Sequence, residues 1–258
     1  MVKGLDLFRK HFSGQEKSFV LIGGVACHEW FADLDLEFRA TKDLDVVLIV
    51  ETLSADFVGV FWQFIEAGGY KIREGVTRDR LLYRFSNPEH GEYPAMLELF
   101  SRKPDRIDLG SGQRIIPIAS DDIAASLSAI LLDDAYYKLI REHQEIRDGL
   151  PCATAMALIP LKVRAWLDLS QRKDRGEKVD DKNVLKHRND VFRIAATLPR
   201  TKGPLLPESI LTDLRDFLAS FKISSPAWPA ILASLEESVG TLKPEVLLEA
   251  IKTYFDLS

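Results

Sequence analysis

The chain has 258 residues, of which 46% are hydrophobic and 28% charged, a balance that excludes intrinsic disorder, a collagen-like repeat and a disulfide scaffold. Its formal net charge of -5 means that the whole molecule is not a polyanion-binding body, so any nucleic-acid contact has to come from a local basic patch. Two cysteines, Cys27 and Cys152, are too few for a metal cluster or a disulfide framework, and no apolar run or leader-like N-terminus points to a membrane, so a reducing, cytoplasmic setting is expected.

In chain order, residues 19–22 form a short apolar strand stopped by Gly23-Gly24, and the start of a helix follows over 25–31. Residues 43–50 are the clearest strand, because 46–50 are apolar on both faces and rich in β-branched side chains, as a central strand requires. Ser54 caps a helix whose apolar positions Phe57, Val58, Phe61, Phe64 and Ile65 recur at helical spacing until Gly68-Gly69. Strands are expected over 70–73, 81–85 and 95–101, with a fifth over 114–118. From Ser120, an N-cap followed by Asp121 and Asp122, the pattern reads as helical through about residue 147. Asp148-Gly149-Leu150-Pro151 is a breaker, and helices are expected over 157–172, 182–198, 208–222, 226–238 and 244–256, with a linker at 199–207. The expected class is α+β: a small mixed or antiparallel sheet with helices over 1–150, then an all-helical domain over 151–258.

Residues 39–45 carry the most chemistry. In an extended segment Arg39, Thr41, Asp43 and Asp45 share one face, and the two carboxylates at the mouth of a buried strand need a positive partner. Oxygen ligands on a rigid strand suit Mg²⁺ or Mn²⁺. Asp33 and Asp35 have the same spacing but follow a helix, and read as its solvated end. The Gly23-Gly24 turn between strand and helix aims backbone N–H groups at an anion. Neither a G-x-G-x-x-G nor a Walker motif is present.

Metal-assisted phosphoryl chemistry calls for a third carboxylate from a neighbouring strand. Glu98, which interrupts an apolar strand, either serves there or lies with Met96 and Phe100 on a half-exposed edge face, and Asp108 is held in reserve. Lys162 either reaches a triphosphate from a helix or snorkels over Trp166. Residues 162–193 hold ten Lys or Arg against six Asp or Glu, which suits either a solvated helix face or a surface for RNA. His28 and Glu29 read as packing residues.

Gly23-Gly24, then Arg39-x-Thr41-x-Asp43-x-Asp45, then an acidic strand residue, resembles the polymerase-beta-type nucleotidyltransferase superfamily. More narrowly it is similar to the AbiEii/AbiGii-type toxins, in which such a core precedes a helical domain. Leu161-Lys162-Val163-Arg164-Ala165 matches that family's Lys-x-x-Ala-type helix, and Lys186-His187-Arg188-Asn189-Asp190 its later basic-acidic pair, so that the resemblance spans residues 17–198. It implies an enzyme that uses an NTP and Mg²⁺ or Mn²⁺, with Asp43, Asp45 and Glu98 at the metal and, together with Lys162 at the leaving pyrophosphate, as the catalytic residues. Gly23, Gly24, Arg39, Thr41, Lys162 and Asp190 would bind the nucleotide. RNA, tRNA or a protein is the implied acceptor, a cognate antitoxin the implied partner, and a small antibiotic-type acceptor or an inactive nucleotide-binding module the alternatives. Two positions depart from the pattern: Arg193 stands where a second acid is usual, and Gly24 where many members have Ser.

Overall fold

The computed structural model describes residues 2–74, 80–102, 115–118 and 127–257, with backbone alone for 72–74, 80–82, 115–118 and 127–131. The described chain divides into two compact units, Met1–Glu29 with Ala40–Ala153, and Trp30–Arg39 with Thr154–Ser258.

The first unit is α+β. Helix α1 (Leu5–His11) precedes strand β1 (Phe19–Ile22), whose four side chains are all buried. Helix α2 (Gly23–Ala32) starts at the next residue with no loop between, and strand β2 (Asp43–Leu48) follows. Ser54 accepts from Phe57 N at 3.2 Å to cap α3 (Ala55–Gly68), and Gly69 closes that helix at φ 61°. Strands β3 (Lys71–Glu74), β4 (Arg80–Ser86), β5 (Met96–Ser101), β6 (Ile115–Ile118) and β7 (Leu127–Leu131) come next. Helix α4 (Asp134–Glu142) and a hairpin of β8 (Gln144–Arg147) and β9 (Leu150–Ala153) complete the unit.

Among the described residues these strands make one sheet of nine, ordered β3-β4-β5-β2-β1-β9-β8, with β7 beside β5 and β6 beside β7. The sheet is mixed: β2 runs parallel to β5 and β1 to β9, whereas β1–β2 and β4–β5 are antiparallel. Its core is aromatic. Phe8, Phe12, Phe19, Phe57, Phe61, Phe64 and Phe85 are buried with ring centroids 4.2 to 6.2 Å apart, within the range where edge and offset contacts are favourable.

The second unit is helical, with α5 (Ala155–Asp174), α6 (Asp181–Ala195), α7 (Glu208–Ala219), α8 (Trp228–Val239) and α9 (Pro244–Tyr254). Helix α5 packs along α6, α7 lies on α5, and α8 and α9 lie on α6. Trp166, Phe192, Phe217, Phe221 and Trp228 interlock at its centre. The segment Trp30–Arg39 belongs here: Trp30 Nε1 donates to Thr197 Oγ1 at 2.9 Å, and buried Phe38 meets Phe31 at 5.1 Å.

The α+β class stands, while the stretch expected to be helical from Ser120 to residue 147 is corrected. Ser120, Asp121 and Asp122 lie outside the described residues, Leu127–Leu131 is strand β7, and only Asp134–Glu142 is helix. A short apolar run such as Leu-Ser-Ala-Ile-Leu fits either state, and here hydrogen bonding to both β5 and β6 makes it a strand. Residues 148–151, read as a breaker, hold a hairpin turn. Asp148 and Gly149 both have positive φ, 45° and 77°, the requirement of a two-residue turn whose twist suits paired strands. The first unit runs through this hairpin to Ala153. Asp35, at φ 55° beyond the end of α2, is the exposed helix terminus expected of it. No helix among the described residues is long and apolar enough to cross a membrane.

Candidate active site

Strand β2 alternates half-buried and buried positions over Asp43, Leu44 and Asp45, with Leu44 fully enclosed, so the two carboxylates share one face. Antiparallel pairing sets Ile22 opposite Asp45, which brings that carboxylate to the turn where β1 becomes α2. Gly23 has φ 66°, and a Cβ there would fall 1.9 Å from Asp45 Oδ2. At Gly24 a Cβ would fall 2.5 Å from Thr41 Oγ1. Both glycines are thus required by side chains of the Thr41–Asp45 stretch lying against the backbone, and Gly23 also by its left-handed conformation. The start of α2 favours the negative charge of Asp45 beside it.

Gly23→Ala combines a positive φ with an overlap on a carboxylate. A loss of about 1–3 kcal/mol in urea unfolding is expected, and Gly24→Ala, with ordinary φ and a movable Thr41 rotamer, should lose less. Equal stability of Gly23→Ala and the parent protein would remove this account of the turn.

Parallel pairing of β2 with β5 sets Glu98 beside Asp45, and antiparallel pairing of β5 with β4 sets Arg84 beside Glu98. Glu98 does share a half-buried face with Met96 and Phe100, but strand β5 lies between β4 and β2, so that face is not at an edge. Arg84 Nε donates to Glu98 Oε1 at 2.6 Å, and one terminal nitrogen of the same guanidinium pairs with that oxygen too. Arg84 was not among the residues expected here. Its signal was nonetheless present, since Arg84 interrupts the apolar strand Leu81-Leu82-Tyr83-Arg84-Phe85 as Glu98 interrupts its own. Asp108 lies outside the described residues.

The remaining expected residues gather in the second unit. Arg39 precedes β2 and does not extend it. Its Nε and one terminal nitrogen donate to Asp190 Oδ1 and Oδ2 at 2.8 and 2.6 Å. Lys162 Nζ lies 3.2 Å from Asp190 Oδ2, and Arg193 donates to Oδ1 at 3.0 Å. Asp190 has no exposed surface, and Lys162 is only 4% exposed, so it does not snorkel over Trp166. Arg193 fills the place of the absent second acid with a cation. It also donates to Ser234 O and stacks on Phe38, with Arg39 on that ring as well at 5.6 and 5.1 Å. Burial alone would push the Asp190 carboxyl up, but Lys162, Arg39 and Arg193 together outweigh it and hold it at about 2.

His187, one turn before Asp190 on α6, has its Nδ1 buried with no hydrogen-bond partner among the described residues. Burial first, then the charge of Lys162, push the imidazole down to about 3. A histidine lowered on folding stabilises fully above its unfolded value near 6.5 and loses that contribution as pH falls toward 3. His187→Gln should therefore flatten the loss of stability between pH 7 and pH 5 by about 2 kcal/mol relative to the parent, measured by urea unfolding. Parallel pH profiles for the two proteins would contradict the burial of a neutral ring.

The first unit thus brings together Gly23, Gly24, Thr41, Asp43, Asp45 and Glu98, and the second brings together Arg39, Lys162 and Asp190. Among the described residues no group of three or more His, Cys, Asp or Glu is gathered to hold a metal ion. Asp43 and Asp45 are the right donors for a hard cation, oxygen atoms on one face at a rigid strand mouth, whereas Glu98 is engaged by Arg84. Hollows of about 430 Å³, lined by residues such as Arg9 and Gly149, and about 390 Å³, lined by residues such as Leu36 and Val239, involve none of these side chains.

No family model and no curated protein matches the chain. It is similar to a solved structure, an antigenic nucleotidyltransferase-like protein from Paracoccidioides brasiliensis, at 13% identity and a TM-score of 0.40, over 95% of this chain and 98% of that one. A likeness this faint carries no conclusion about chemistry.

Proposed function

We propose that the chain is a nucleotidyltransferase that moves a nucleotide from an NTP to a hydroxyl acceptor. The observation that carries this reading is the seating of Asp45 against Gly23 at the β1–α2 turn, with Asp43 on the same face of β2. Asp43 and Asp45 would hold the divalent cation, Mg²⁺ or Mn²⁺, which neutralises phosphate charge and favours the attacking alkoxide. The chain's own part is positional. The glycine turn keeps side chains clear of the backbone beside the carboxylates, and the sheet fixes their spacing, so that the acceptor oxygen and the α-phosphorus meet in line. One acceptor O–P bond forms, the bond from the α-phosphorus to pyrophosphate breaks, and the acceptor proton is released.

The acceptor is RNA or tRNA in this reading, as the resemblance to AbiEii-type toxins implies, with a cognate antitoxin as partner. The pairing of Glu98 with Arg84 favours a second reading, a module that binds nucleotide without turning it over. Incubation of purified protein with each α-labelled NTP, Mg²⁺ and total RNA separates them. Label in RNA supports transfer, whereas nucleotide binding by calorimetry with no labelled product supports the module.

A further inference from the structure

Strand β8 ends the sheet: among the described residues β9 pairs with one side of it and no strand with the other. The register fixes which backbone groups face outward. The two-residue turn at Asp148-Gly149 makes Arg147 and Leu150 the hydrogen-bonded pair that closes the hairpin, so Ile146 and Pro151 form the next, non-hydrogen-bonded pair. Pro151 fits that place, since no hydrogen bond to β8 is asked of it. The N–H and C=O of Ile146 therefore point away from β9. Ile146 is 62% exposed. On the opposite face Glu145, with its side chain 61% exposed, pairs with Arg147 at 2.7 Å. Lysine and proline, which commonly blunt edge strands, are absent from Gln144–Arg147.

We propose that this edge is a self-association surface whose occupant is β8 of a second copy of the chain, paired antiparallel about a two-fold axis at Ile146. Charge complementarity selects that register. A pair centred on Ile146 sets Glu145 opposite Arg147 of the second copy, and Arg147 opposite Glu145 of the second copy. The four charges alternate in sign, and each Arg147 keeps the Glu145 of its own chain while gaining another. Moving the axis by one residue, to Glu145 or to Arg147, would set like charges opposite each other. With the axis at Ile146, the outward N–H and C=O of each Ile146 bond to those of the other. On the face away from the charges the two exposed isoleucine side chains meet and leave water. Four residues from each strand make a small interface of the transient class, with a Kd on the order of 10–100 µM.

Sedimentation velocity on the full chain tests this, with the parent protein passing from monomer to dimer as its concentration rises through that range. Ile146→Lys places two ammonium groups at the axis and should weaken the dimer at least about tenfold, with the far-ultraviolet circular dichroism unchanged. A covalent readout checks the register. Cα atoms of a hydrogen-bonded antiparallel pair lie about 5.5 Å apart, within disulfide reach, so Ile146→Cys should oxidise to a cross-linked dimer. Gln144→Cys, which this register sets opposite Asp148 of the second copy, should not. Cys27 and Cys152 are buried, so the parent protein serves as the blank. A parent that stays monomeric throughout would overturn the inference and leave the edge to a strand of another protein. An Ile146→Lys dimer as tight as the parent's, or cross-linking of Gln144→Cys as efficient as that of Ile146→Cys, would overturn it equally.

Discussion

Asp190→Asn is expected to be the most destabilising single substitution in the second unit, by about 3–5 kcal/mol, because it removes one buried anion and leaves Arg39, Lys162 and Arg193 facing each other. Three of the four tryptophans, Trp30, Trp166 and Trp228, belong to this unit, so fluorescence-monitored urea unfolding reads the effect directly. Arg39→Met should cost less, since Asp190 keeps Lys162 and Arg193 as partners. The pH dependence has a defined sign. A carboxylate held at about 2 stabilises fully above its unfolded value near 3.8, and the contribution disappears as pH falls toward 2. If Asn at 190 left the unfolding midpoint unchanged, the cluster would not be what ties Trp30–Arg39 to α5 and α6.

Asp45→Asn is expected to lower nucleotidyl transfer by about 10²–10³-fold or more while leaving the fold intact. Asn keeps the shape that packs on Gly23 and gives up the charge, so stability should move by less than in Gly23→Ala. Asp43→Asn should lower activity in the same direction. Initial rates with labelled NTP, together with far-ultraviolet circular dichroism to confirm folding, decide the matter. Full activity in Asp45→Asn would end the proposal that this face does the chemistry.

The elements most legible in the sequence were those whose pattern has one physical solution. Asp43–Leu48 could only be a central strand, because its apolar residues occupy both faces. The α3 helix declared itself by an N-cap at Ser54, a helical stripe of phenylalanines and a glycine stop. The helices after residue 154 were equally plain, through long periodic segments bounded by Pro and charged loops. The region around β7 to β9 was not legible, since Leu127–Leu131 has no local feature that separates strand from helix, and the Asp148-Gly149 turn signals either an end or a hairpin.

For the candidate site, residue types and spacing alone were enough to single out Gly23-Gly24, Asp43 and Asp45, because glycines before a helix and charges at the mouth of a buried strand are costly without a purpose. Local sequence could not assign partners. Arg39 sits four residues before Asp43, and its guanidinium goes to an aspartate 151 residues away. Glu98 was expected to complete a metal site, and strand order set Arg84 beside it. Charge tells which residues must be neutralised, and only the register of strands and the packing of α5 on α6 decide by what.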